Sequence, residues 1–148
     1  MHLADLRLGE FGYQVGLRTY ELTMWREKNM RRENQVLSAL MYINSVVWKY
    51  FFGKQADSLE RSTEHEDEYM IVDNEPQFIK YFSIPKEMSS FSPGAFMAGT
   101  VEAIMACCGC HARVTSHTMP TKDFPLRTVI LIKVDPSVLE REAMLSKK

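Results

Sequence analysis

The sequence predicts an α+β domain, with helices packed on one face of a mostly antiparallel four-stranded sheet. Three observations lead there. Residues 33–52, ENQVLSALMYINSVVWKYFF, form a long apolar run that neither Pro nor Gly interrupts. Four short runs rich in β-branched and aromatic residues follow it, at 68–72, 78–84, 111–117 and 128–134. The order along the chain is helices, strands, helix, strands, without the strict alternation of a parallel sheet.

Residues 2–27 read as the first helix, with a break or kink expected near Gly9–Gly12, because Gly9, Gly12 and Gly16 weaken a helix interior. Two apolar lines run along residues 11–25 on opposite sides of the wheel. One is Tyr13, Leu17, Tyr20 and Met24; the other is Phe11, Val15, Leu22 and Trp25. Such a helix needs cover on two sides. Residues 26–32, REKNMRR, form a basic connector that reads as a solvated loop, or as a patch for a GTPase, a coat protein or lipid headgroups.

The run 33–52 is long enough for about five helical turns. At about 100° per residue, Ser38, Tyr42, Ser45 and Lys49 fall on one narrow polar line, read as the rim of an otherwise buried spine. Asn44 lies inside the apolar arc, where burial obliges it to find hydrogen-bond partners that fix packing register. Residues 54–68 follow, and their second half reads as an acidic, mobile link.

Ser92-Pro93 opens another helix and Gly109 closes it. Its apolar face is Phe96, Met97, Val101, Ile104, Met105 and Cys108. A second face, Ala95, Gly99, Ala103 and Ala106, is small enough for another backbone to come close. The loop TMPTKDFPLR joins the last two strands, and residues 136–146 suit a short exposed helix.

A chain of 148 residues with 25% charged side chains is one domain of ordinary size. Its net charge of −1 gives no reason to expect nucleic acid or an anionic membrane as a direct partner. No run approaches the roughly 18 apolar residues of a membrane span. The N-terminus lacks the apolar region of a secretory signal. Cys107, Cys108 and Cys110 are too crowded for a disulfide framework, which fits a reducing cytosol. Together with His111 they offer four ligands within five residues, a poor tetrahedral zinc set, so no metal and no cofactor is expected. Nothing singles out His111 or His117 as a base for cysteine catalysis. Gly9, Gly12 and Gly16 follow no strand and lack the Lys-Ser/Thr of a phosphate loop. The positive evidence favours an interaction domain over an enzyme.

Three stretches resemble the small-subunit family of the trafficking protein particle (TRAPP) complex. They are Gly12-Tyr13-Gln14-Val15-Gly16-Leu17-Arg18; Arg31-Arg32-Glu33 through Trp48-Lys49 to Phe52-Gly53-Lys54, Ala56-Asp57 and Leu59-Glu60; and Ser83-Ile84-Pro85-Lys86-Glu87 with Ala98-Gly99, Val101-Glu102-Ala103, Val114-Thr115 and His117. The second and third are most like one branch of it, subunit 5. The resemblance implies a cytosolic, non-catalytic scaffold subunit beside an acyl-carrying small subunit and a sedlin-type small subunit. The assembly it implies tethers vesicles and catalyses nucleotide exchange on a Rab GTPase between endoplasmic reticulum and Golgi. Membrane contact is then only indirect, at the cis-Golgi and endoplasmic reticulum.

Three departures from the family pattern stand out. The family's first helix is missing before residue 1, so residues 1–148 read as a single domain without it. The acyl-carrying relatives place a cysteine just before the long helix, where this chain has Asn29-Met30-Arg31-Arg32. The loop 118–127 is longer than the family's hairpin. Tyr13, Leu17, Tyr20 and Met24 are the expected contact surface, and Tyr20→Asp is expected to break pairing while leaving the monomer folded. The competing expectation is a module that holds an acyl chain between helices and sheet, with methionines lining an adaptable pocket.

Overall fold

The computed structural model describes residues 3–26, 36–76 and 93–146. Helix α1 (Leu3–Arg26) runs unbroken through Gly9, Gly12 and Gly16, against the expected kink. Each glycine costs roughly 1 kcal/mol relative to alanine in a helix interior. Here the cost is offset by packing: α4 (Pro93–Cys107) crosses α1 at backbone contact distance. A Cβ on Gly12 would overlap the Phe96 backbone, and one on Gly16 would lie 2.5 Å from the Thr100 carbonyl oxygen. Thr100 Oγ1 donates at the crossing, 3.0 Å from the Gly12 carbonyl and 2.9 Å from that of Phe96. The small face expected at Gly99 and Ala103 is therefore the one that admits α1. Gly109 ends the helix at φ +76°, a backbone conformation that favours glycine.

The long apolar run forms α2 (Val36–Tyr42), a π turn (Ile43–Val47) and α3 (Trp48–Phe52), and stops at Gly53 with φ 77°. Residues 33–35 lie outside the described ones. Val36, Leu40, Ile43, Val47 and Trp48 are at most 1% exposed, so the run is the internal spine the sequence predicts. Its rim differs. Tyr42 is only 4% exposed, with its hydroxyl against Thr23 Oγ1, whereas Leu37 and Met41 face solvent at 55% and 57%. Counting the Tyr42 hydroxyl as polar misplaces a ring that faces inward. The π turn displaces the residues that follow it. Its i→i+5 spacing inserts about one residue, which turns everything beyond it back by about 100°. Trp48, which a straight α-helix would place beside Leu37, is thereby swung into the core.

Four strands build one antiparallel sheet: β1 (Ser58–Arg61), β2 (Glu68–Asp73), β3 (Ala112–Thr118) and β4 (Thr128–Val134), in the order β1-β2-β4-β3. The runs expected at 68–72, 111–117 and 128–134 are found within a residue or so. The run 78–84 lies outside the described residues. β1 instead falls just before the acidic link, where the sequence reading assigns no element, so among the described residues the count of four includes a strand the sequence pattern hides. Across the core face Ile71 pairs with Ile130, and Tyr69, Ile132 and Val114 form the next row. Met97, Val101, Ile104 and Met105 of α4, all fully buried, share a core with these residues and the spine.

Trp48 Nε1 donates to Asp73 Oδ2 at 2.9 Å, and the Glu75 backbone N–H donates to Asp73 Oδ1 at 3.1 Å. Asp73 is 1% exposed. Burial raises its pKa, and these two donors pull it back less strongly. The Asn44 side-chain oxygen is buried with no hydrogen-bond partner among the described residues. Register there is set by its backbone carbonyl, which accepts the Ala56 N–H at 3.1 Å.

The loop 119–127 is tied across its neck, with Met119 N–H donating to the Arg127 carbonyl at 2.8 Å and Arg127 Nη1 to the Met119 carbonyl at 3.2 Å. Helix α5 (Pro136–Ser146) is capped by Asp135, whose Oδ1 accepts from the Ser137 N–H at 2.9 Å. Among the described residues no helix is long and apolar enough to cross a membrane.

Candidate interaction surface

The buried line of α1 is neither of its apolar stripes. Leu8, Gly12, Gly16, Thr19 and Thr23, spaced at i, i+4, i+8, i+11 and i+15, form it. Thr19 and Thr23 are 3% and 2% exposed, and each hydroxyl donates at 2.8 Å to a carbonyl four residues back, Val15 and Thr19 respectively. With this line facing inward, the two apolar stripes become shoulders about 100° to either side. Tyr13, Leu17 and Tyr20 on one shoulder are half-buried, as are Val15 and Leu22 on the other.

The structure thus sets Tyr13, Leu17 and Tyr20 along one edge of the helix but does not treat them alike. The Tyr20 ring meets the Tyr42 ring edge-on, 6.3 Å between centroids, and packs against the core. Tyr13 and Leu17 carry no such inward anchor among the core-packed side chains. Met24 lies on α1, and its side chain is outside the described ones. On the opposite shoulder Phe11 is 59% exposed, its ring tilted against Phe96 at 5.7 Å. Leu37 and Met41 of α2 add two further exposed apolar side chains that the sequence reading assigns to the core. The signal that would have found α1's buried line is the match of small residues, Gly12 and Gly16 against Gly99 and Ala103, rather than hydrophobicity.

Burial pushes the Cys108 thiol up to about 12, with the neighbouring Cys110 and Cys107 adding to it; burial also raises Cys107. The thiolate is the nucleophilic form, and burial disfavours it at Cys108. His117 pairs with Thr115, 2.9 Å between Nε2 and Oγ1, on the exposed end of β3. Among the described residues no group of three or more His, Cys, Asp or Glu side chains could hold a metal ion. The connector 27–32, with Asn29-Met30-Arg31-Arg32, lies outside the described residues.

Comparison with known proteins gives this surface its context. The model of the transport protein particle (TRAPP) component family matches residues 2–135. A trafficking protein particle complex subunit 5 from Dictyostelium discoideum is 48% identical over 144 residues, covering 96% of this chain and 77% of that protein. The subunit 5 of Homo sapiens is 38% identical over 139 residues, covering 94% and 71%. A solved structure with the same fold is that of a subunit 3 from Naegleria fowleri, covalently bound to palmitic acid. Its TM-score is 0.71 at 16% identity, covering 88% of this chain and 80% of that one. The family match over nearly the whole chain, the relatives' identities and the shared fold agree: this chain belongs to the TRAPP component family of vesicle-trafficking complex subunits.

Proposed function

We propose that this chain is a non-catalytic structural subunit of a vesicle-tethering complex, one that acts as a whole as a Rab guanine-nucleotide exchange factor in endoplasmic reticulum to Golgi transport. One observation carries the reading. Helix α1 spends most of its inward face on glycine and threonine, with Leu8 beside them, and leaves apolar shoulders on both sides only half covered. Half-covered apolar side chains aligned on one helix edge are what a partner subunit covers. Tyr13, Leu17, Tyr20 and Met24 form the contact with other small subunits, an acyl-carrying one and a sedlin-type one. The chain works in the cytoplasm, peripheral at the cis-Golgi and endoplasmic reticulum, and meets the Rab and the membrane through the assembly.

The acyl-chain reading has less support. Trp48, Ile43, Met97, Ile104 and Met105 fill the space between helices and sheet, each fully buried. The palmitic acid belongs to the subunit 3 relative, which shares 16% identity.

The test is co-purification with the acyl-carrying small subunit. Leu17→Asp is a better probe than Tyr20→Asp, because Tyr20 also supports the fold through Tyr42. We expect Leu17→Asp to change monomer stability by no more than about 1 kcal/mol and to weaken pairing by about tenfold or more. A variant that co-purifies undiminished removes this shoulder from the interface.

A further inference from the structure

A second surface is built from different elements. A groove of about 450 Å³ lies where β3 begins and β4 ends, lined by Glu102, His111, Arg113, Lys133, Asp135 and apolar neighbours. Arg113 and Lys133 are direct cross-strand partners in the β3–β4 ladder, and both are exposed. Like charges set opposite each other weaken a sheet. Among the described residues neither makes an ion pair or a side-chain hydrogen bond. Glu68 sits across from Lys133 on β2, yet forms no ion pair with it.

The two acids of the groove are engaged elsewhere. Glu102 Oε1 accepts the Val114 N–H at 3.3 Å. Asp135 Oδ1 accepts from the Ser137 N–H at 2.9 Å and from its hydroxyl at 2.7 Å, and these bonds lower the Asp135 pKa. The two adjacent cations thus share a concave site with acids, yet among the described residues neither is closed into an ion pair.

We propose that this groove docks an acidic segment of a partner protein, whose carboxylates sit on Arg113 and Lys133. A planar guanidinium beside a mobile ammonium suits a carboxylate pair. The lining acids favour a peptide over a polyanion. An extended peptide can space its carboxylates to meet the two cations, whereas a membrane surface or a nucleic acid would also lay negative charge on Glu102 and Asp135. The whole-chain charge of −1 points the same way. This site does not depend on the α1 shoulder or on the assembly proposed above.

The experiment titrates the full chain with acetyl-Glu-Val-Glu-Val-Glu-amide by amide NMR. The same peptide with glutamine for glutamate, inorganic phosphate and phosphatidylserine vesicles serve as separate arms. We expect the acidic peptide to shift the amides of Arg113 and Lys133, and added salt to weaken it. Arg113→Glu should weaken it by about tenfold or more and Lys133→Gln by a smaller factor. Arg113→Glu should also hold or raise the melting temperature of the free chain, since it replaces a like-charge pair with an opposite one. If Arg113→Glu fails to fold, the melting expectation fails with it and Lys133→Gln decides the binding. Equal binding of the glutamine peptide, equal binding of phosphate, or undiminished binding by the variants would overturn the proposal. So would vesicle binding lost in the variants while the peptide stays unbound, which would make the surface a lipid site.

Discussion

The crossing of α1 on α4 and the packing of the spine on the sheet solve the same problem in opposite ways. At the crossing, glycine and threonine let two backbones meet, and one threonine hydroxyl bridges two carbonyls. At the spine, large side chains such as Trp48, Ile43 and Leu40 fill the space between helix and sheet. The first contact depends on the absence of atoms, the second on their presence. A packed core tolerates volume-conserving exchange, whereas two touching backbones cannot move aside without moving whole helices.

Truncation should therefore hurt most at the spine. Trp48→Ala removes the largest fully buried side chain and leaves Asp73 without its indole donor. We expect a loss of about 3–5 kcal/mol in chemical denaturation. A loss below about 2 kcal/mol would mean that the spine collapses into the space and is less rigid than the packing implies.

Addition should hurt most at the crossing. Alanine at Gly12 gains about 1 kcal/mol in helix propensity but meets the Phe96 backbone, for which overpacking costs of about 1–3 kcal/mol are a lower guide. We expect Gly12→Ala to be net destabilising by about 1–2 kcal/mol, measured the same way. A neutral or stabilising result would show that the helices slide apart freely, and the contrast between the two regions would dissolve.

The smallest effect concerns the polar pair that joins the spine to β2. Burial raises the Asp73 pKa, so the folded chain holds that proton more tightly than the unfolded chain. This group's contribution to stability is therefore full below the ordinary carboxylate range and is lost as pH rises through the folded pKa. Asp73→Asn removes that dependence, at the cost of one acceptor. We expect the stability gap between parent and variant to narrow as pH rises from about 4 to about 7. A gap that widens would mean that the indole and amide donors outweigh burial.

How much of this was legible in the residues follows from the same contrast. Pro93 and Gly109 mark α4 because they act locally, one by fixing φ and the other by reaching φ +76°. The apolar face of α4 is where periodicity places it. The buried line of α1 is not, since hydrophobic periodicity is blind to a seam built from glycine and threonine. The expected kink fails for the same reason: helix propensity is a local quantity, and the crossing is tertiary. β1 escapes because Ser58–Arg61 is four residues with two exposed charges, an edge strand held mainly by its pairing with β2. Trp48 is misplaced on any regular wheel because the π turn changes the count partway along the helix. The half-covered apolar surface proposed here for contact was only partly legible. Its stripe at Tyr13, Leu17 and Tyr20 reads directly, whereas the exposure of Leu37 and Met41 depends on which way Tyr42 points.

The glycine seam has a consequence for inheritance. Glycine is the smallest residue the genetic code offers, so any missense change at Gly12, Gly16 or Gly99 adds at least one carbon. At each of these positions that carbon falls on backbone already in place. Elsewhere in the core a mutation can be mild, exchanging isoleucine for valine or leucine for methionine. Along this seam there is no mild exchange, and a family carrying such a variant would show its effect in the amount of folded protein before any change in what the protein binds.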